Sequence, residues 1–139
     1  MQKTLKIKND IRQLAAVEQF LRQQAGGFGL SESLIGNLNL VLEEAISNII
    51  FYAYEGEERK EEAIDLSLDY EKPYLVIRLS DGGCPFDPTA RQDPDLSLTA
   101  EERPIGGLGI FLIKKLMDEV SYQRVNDKNV LILKKKITS

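Results

Sequence analysis

The chain of 139 residues has no histidine, no tryptophan and a single cysteine. Without histidine there is no Ser-His-Asp or Cys-His activation of a nucleophile, and the common His-ligated zinc sites are excluded. The lone Cys84 can form neither an intrachain disulfide nor a CxxC pair, which suits a reducing cytoplasm. With no imidazole to activate it, its thiol is expected to be an ordinary loop thiol. No apolar run approaches the roughly 18 residues of a membrane span. Met1–Asp10 intersperses Lys3, Lys6 and Lys8 with Leu5 and Ile7, unlike a signal peptide. Positive charge is not in excess: 18 Lys and Arg against 22 Asp and Glu leave a net charge of -4. That lacks the basic footprint of a protein that binds nucleic acid directly.

What is present describes a folded domain. Hydrophobic residues make up 42% and charged residues 29% of the chain, outside the range of disordered sequences. A chain this long buries about two-thirds of its unfolded surface, enough for one core without metal or disulfide staples. The expectation is one domain over residues 1–139, cytoplasmic, with no membrane contact.

Hydropathy periods give the element order. Thr4–Lys8 alternates as a first strand, and Asn9 or Asp10 can cap a helix with Ile11, Leu14, Val17 and Leu21 on one stripe. Gly26-Gly27-Phe28-Gly29 closes that helix as a C-terminal cap and turn. Ser31 caps a second helix with the stripe Leu34, Leu38, Val41, Leu42, Ala45 and Ile49, and the polar stretch Glu55–Glu62 reads as a loop. Strands at 64–70 and 75–79 flank Glu71-Lys72-Pro73 as a hairpin. Asp81–Gly107 has no sustained period and four prolines, a length that usually carries function. A third helix, Leu108–Glu119, is striped by Leu108, Phe111, Leu112 and Leu116. Two closing strands, Val120–Val125 and Val130–Ile137, surround a turn at Asn126–Asn129, and Lys134-Lys135-Lys136 guards an exposed edge. Helices do not alternate with single strands, so the fold class expected is an α/β (α+β) two-layer sandwich: a mixed sheet with helices on one face.

Three features could carry chemistry. Glu44 and Asn48 lie four apart on the second helix and project from one face, where a carboxylate could act as general base and a carboxamide oxygen could bind Mg²⁺. Asp81-Gly82-Gly83 follows an apolar strand: the Asp can accept from an exocyclic amine, and the glycines let a flat ring approach the backbone. Gly106-Gly107-Leu108-Gly109 opens a helix, freeing amides toward an anion at the positive end of the helix dipole. Singly, each has a plainer reading: a solvated polar stripe, an Asp-Gly turn, a loop-to-helix junction.

In combination and in this order, they resemble the GHKL (Bergerat-fold) ATPases, whose members include histidine-kinase-like ATPase domains. Within that superfamily the chain most resembles the bacterial anti-sigma-factor serine kinases. The telling stretches are Glu44-Ala45-Ile46-Ser47-Asn48 with Tyr54 beyond, Pro85-Phe86-Asp87-Pro88, and Gly106–Ile113 running into Met117-Asp118. The resemblance implies ATP and Mg²⁺ as cofactors, with Asn48 the metal ligand and Glu44 the general base toward an attacking hydroxyl. It implies that Asp81 recognises the adenine amino group and that Gly83 lets the base stack close. Gly106, Gly107, Leu108 and Gly109 correspond to a glycine box whose amides receive phosphate oxygens, and 87–105 to an ATP lid. The implied activity is transfer of the γ-phosphate to a serine on a small anti-sigma-factor antagonist protein, with a sigma factor as a second partner and a homodimeric assembly. Two positions depart from the family pattern. Tyr52 stands four residues after Asn48, where histidine is frequent. Asn129-Val130 replaces a Gly-Thr near the start of the final strand, removing a hydroxyl that can contact phosphate. Two alternatives stay open: a nucleotide-dependent sequestering module that does not phosphorylate its partner, and a histidine kinase catalytic fragment.

Overall fold

Period-two and helical stripes each fold as their spacing requires. The computed structural model describes residues 3–54, 63–90 and 107–137. β1 (Lys3–Ile7) leads into α1 (Leu14–Phe28) and α2 (Glu32–Asn48), followed by the hairpin β2 (Ile64–Glu71) and β3 (Tyr74–Asp81). α3 (Gly107–Leu116) then precedes the hairpin β4 (Glu119–Val125) and β5 (Lys128–Lys136). The strands form one sheet in the order β1-β2-β3-β5-β4. Leu66, Leu68, Ile77, Leu79, Leu131 and Leu133 share its inner face and meet Leu21, Leu38, Leu42, Ile46, Ile110 and Ile113 of the three helices in one core. Each such side chain, fully buried, contributes about 1.5–3 kcal/mol. Asp65, Ser67, Asp69, Arg78, Ser80 and Lys134 share the opposite face. The result is two layers, with the helices on one side.

The sheet differs from the mixed one expected: every pairing among the described strands is antiparallel. The cause is the placement of β5. β3 and β4 run the same way, but the β4–β5 hairpin inserts β5 between them, so the two parallel strands are never neighbours.

The predicted caps are where the sequence puts them. Asp10 accepts a bond from the Arg12 N–H at 3.0 Å, but it caps a 3₁₀ turn, Ile11–Gln13, rather than α1 itself. That turn rotates Ile11 out of the helical stripe and leaves it 41% exposed, while Phe20 and Ala25 join Val17 and Leu21 inside. α1 continues through Gly26 and Gly27; only Gly29, at φ +68°, uses the left-handed conformation that ends a helix. The Ser31 hydroxyl accepts from Leu34 N–H at 3.1 Å and starts α2. α3 stops at Leu116, three residues before the predicted end. Its buried face is Ile110 and Ile113, with Met117 just beyond, not Phe111 and Leu112, because so uniformly apolar a run fixes no single period. The Glu55–Glu62 loop, the 91–105 portion of the expected lid and Gly106 lie outside the described residues.

Past Asn48, α2 widens into a π-helical turn, Ile49–Ala53. The combined helix Glu32–Ala53, 22 residues with hydropathy 1.3, has the length and composition of a membrane span. Here Ile35, Leu38, Val41, Leu42, Ala45 and Ile46 lie buried within the core. The turn delivers Tyr54, 4% exposed, whose hydroxyl donates to Ala63 O at 2.7 Å and accepts from Gly82 N–H at 3.0 Å. One phenol thus ties the end of α2 to the start of β2 and to the segment after β3. Tyr54→Phe removes both bonds and leaves the buried Ala63 carbonyl unpaired, while the N–H of exposed Gly82 can turn to water. It should destabilise the protein by about 1–3 kcal/mol, the cost of one buried group left unpaired; urea denaturation measures this.

Candidate functional site

α2 and α3 pack side by side, and the missing side chain of Gly109 lets α3 approach two polar residues of α2. A Cβ built on Gly109 would sit 2.8 Å from Glu44 Oε2 and 3.6 Å from Asn48 Nδ2. The i to i+4 spacing on α2 therefore does what the sequence predicts: both groups face one way and converge on Gly109 in the first turn of α3. Asn48 is 8% exposed and its Nδ2 has no hydrogen-bond partner. A buried carboxamide left unsatisfied is costly unless something pairs with it.

From Asn48 a cleft runs to Asp81, the last residue of β3, lined also by Ala45, Ile49, Phe86, Pro88, Ile113, Tyr122, Asn129 and Leu131. Its volume, mouth included, is about 300 Å³. Phe86 stacks on Tyr52, ring centroids 5.1 Å apart and 18° from parallel.

Asp81 is 3% exposed. Its Oδ1 accepts from Asn129 Nδ2 at 2.9 Å and from Gly83 N–H at 3.0 Å, so both bonds fall on one oxygen. Burial pushes the Asp81 carboxyl above the usual range, opposed by the Asn129 and Gly83 bonds and by the charge of Arg124. Burial likewise raises the Tyr122 phenol. Gly83 is glycine for a reason the sequence does not reveal: a Cβ there would lie 2.5 Å from Ala53 O. That closeness lets Cys84 N–H bond Ala53 O at 2.9 Å. Arg124 Nη1 donates to Gly83 O at 3.0 Å from the other side.

Asn48 and Asp81 thus line one cleft, Glu44 and Gly109 meet beside Asn48, and Gly83 packs against the Ala53 backbone. Asn129, Tyr122 and Arg124 are additional site residues that motif reading missed. A signal for Asn129 existed: period two places it on the core face with Leu131 and Leu133, where a polar residue needs partners.

Residues 7–135 match the sequence profile of a family described as the histidine kinase-like ATPase domain. The chain belongs to that family. Among named members of known sequence, a serine-protein kinase RsbW from Listeria monocytogenes is 38% identical over 96 residues, covering 66% of this chain and 60% of the relative. Another RsbW, from Bacillus cereus, is 31% identical over 134 residues, covering 94% and 82%. The serine/threonine-protein kinase BtrW of Bordetella bronchiseptica is 31% identical over 96 residues, covering 69% and 66%. Matches to the Listeria relatives span about 60% of those proteins' length. In structure, the chain resembles the RsbU and RsbW domains of a Mycobacterium tuberculosis protein (TM-score 0.67, 11% identity, 98% of this chain and 32% of that one). It also resembles the SiaB–SiaC complex of Pseudomonas aeruginosa (0.59, 17%, 99% and 89%). Both likenesses bear on fold alone.

For a histidine kinase-like ATPase domain, the unpaired Asn48 Nδ2 donor and the Gly109 cradle fit a phosphate oxygen, and the Asn48 carboxamide oxygen is the atom that would hold a metal. No cluster of three or more acidic, histidine or cysteine side chains occurs among the described residues, so a divalent ion there would share Asn48 with phosphate oxygens, as Mg²⁺ sites commonly do.

The state of Asp81 is testable without nucleotide. Its raised value means that burying the charged form costs stability at neutral pH and that proton uptake relieves this cost as pH falls through that value. Asp81→Asn keeps an acceptor toward Asn129 and Gly83 but carries no charge. The variant should be more stable than wild type at pH 7, with the margin shrinking toward the ordinary carboxylate range, as measured by paired denaturant titrations.

Proposed function

We propose that this chain is an ATP-dependent serine-protein kinase that acts as an anti-sigma-type regulator in a partner switch. The observation that carries the reading is the convergence of Glu44 and Asn48 on Gly109 at the start of α3, with Asn48 lining the same cleft as Asp81. Adenine would lie toward Asp81, with its amino group on the free Oδ2. The phosphates would lie between the Asn48 carboxamide and the amides of Gly107, Leu108 and Gly109, where the helix dipole favours negative charge. The Asn48 carboxamide oxygen would hold Mg²⁺, which when bound would supply neutralisation of charge on the transferred group.

The reaction then needs little else from the chain. A serine hydroxyl of the partner approaches the γ-phosphorus beside Glu44. Its oxygen forms the new P–O bond, the bond from the γ-phosphorus to the β–γ bridging oxygen breaks, and the proton passes to the Glu44 carboxylate. ADP leaves with the bridging oxygen. Positioning and charge account for most of the acceleration, with the base contributing about 10²–10⁴-fold. The names of the sequence relatives, serine-protein kinase RsbW and serine/threonine-protein kinase BtrW, support the choice of serine as acceptor. The same reading gives a small anti-sigma-factor antagonist as substrate, a sigma factor as second partner, a homodimer as the assembly and the cytoplasm as its location. The single cysteine and the net charge of -4 support that location and argue against direct nucleic-acid contact.

Radiolabelled ATP, the cognate antagonist and calorimetry test the roles separately. Glu44→Gln should lower phosphotransfer about 10²–10⁴-fold with ATP affinity nearly intact, whereas Asn48→Ala should lose both. Equal transfer by Glu44→Gln and wild type removes Glu44 as the base. A wild type that binds ATP and partner but transfers nothing is a sequestering module.

Gly109→Ala makes a finer test. Its methyl would clash only with the carboxylate end of Glu44, 2.8 Å away, and would meet Asn48 Nδ2 and Glu44 Cβ in ordinary contact at 3.6 and 3.7 Å, so the protein should still fold. Displacing that carboxylate should cost at least tenfold in transfer, measured on protein shown to be folded by circular dichroism.

A further inference from the structure

We propose that Asn129 is the positioning residue that sets the base specificity of this site, acting through Asp81; the inference rests on the ATP reading above. Asn129 is the second residue of β5, directly opposite Asp81 across the β3–β5 ladder and 4% exposed. A carboxamide has two donors and two acceptor positions, and here all four are used. Nδ2 donates to Asp81 Oδ1 at 2.9 Å and to Cys84 O at 2.8 Å, while Oδ1 accepts from Phe86 N–H at 3.1 Å and from the Tyr122 hydroxyl.

These partners fix the orientation of the amide. A flipped group would set its oxygen against a carboxylate and a carbonyl, and its NH₂ against the Phe86 N–H. The Asp81 carboxylate is fixed in turn: Asn129 and Gly83 both hold Oδ1, and Oδ2 is left as the acceptor presented to a ligand. A charged acceptor held in one place takes an amino group and repels a carbonyl oxygen, so the pair selects a 6-amino purine over a 6-oxo purine. The same amide ties Cys84 and Phe86, which begin the cleft wall, to the strand that recognises the base.

No simple replacement does all four tasks. A Thr hydroxyl has one donor, an Asp would face carboxylate to carboxylate, and a Leu has neither donor nor acceptor. The contact to Asp81 is a hydrogen bond to a charged group, so its loss should be read in selectivity rather than in general affinity.

The test is the ratio of ITP to ATP dissociation constants, measured by calorimetry on the full chain for wild type, Asn129→Leu, Asn129→Thr, Asp81→Asn and the Asn129→Leu/Asp81→Asn double variant. Wild type should prefer ATP by about 10–100-fold, the range of a hydrogen bond to a charged group. Asn129→Leu should bring the ratio to within about threefold of unity. Asn129→Thr should lower it at least threefold, and it carries the test alone if the Leu variant does not fold. The double variant should be no less selective than Asp81→Asn by itself, the non-additivity expected of residues acting as a unit. Asn129 variants that weaken ATP and ITP equally, or that keep the wild-type ratio, overturn the inference and leave the ATP reading standing. A wild type with no preference for ATP overturns both.

Discussion

A carboxylate at the end of a central strand, withdrawn almost wholly from water, is the constraint that organises this half of the molecule. Burying Asp81 would be prohibitive without partners, and three separate elements supply them. β5 brings Asn129, the segment after β3 folds back to offer the Gly83 N–H, and β4 sends Arg124 across to the Gly83 carbonyl. The turn at Gly82–Gly83 is itself held from the helical layer by Tyr54 and Ala53. The segment from Gly82 to Phe86, irregular by secondary structure, is thus pinned from both layers, although it contributes little apolar burial.

The Asn48 side of the cleft follows a different logic. Around Asp81 the polar groups are paired, with one oxygen left over. The buried Asn48 Nδ2 has no partner among the described residues, and Gly109 leaves open the space beside it. Satisfied groups give a rigid recognition surface, whereas unsatisfied ones mark where a ligand gains most by binding. The two sides of the cleft therefore differ in kind: around Asp81 the geometry is fixed by bonds already made, and beside Asn48 a buried donor is left open.

Much of this was legible in the residues. Ser31, Asp10 and Gly29 announced their caps, and the four-residue spacing of Glu44 and Asn48 put both on one face. The alternation in 64–70 and 75–79 identified a hairpin. The parts that were not legible depend on contacts distant in sequence. Nothing local tells that β5 inserts beside β3, which makes the sheet antiparallel throughout instead of mixed. Gly83 read as room for a ligand, but its open side is taken by the Ala53 backbone, thirty residues earlier. Asn129-Val130 read as a Gly-Thr replaced with loss of a hydroxyl; Asn129, paired across the sheet with Asp81, makes four side-chain hydrogen bonds. The uniformly apolar Leu108–Met117 run hid which face of α3 turns inward.

The hairpin between β4 and β5 closes through Asn126 and Asp127, both with positive φ (52° and 62°), in the two-residue loop that pairs Val125 with Lys128. Asn129 comes next. Because side chains alternate along a strand, a loop longer or shorter by one residue would shift β5 by one place and turn Asn129 to the outer face, bringing Lys128 or Val130 opposite Asp81. Two exposed turn residues therefore work as a ruler, and which side chain faces Asp81 is set by counting as much as by contact.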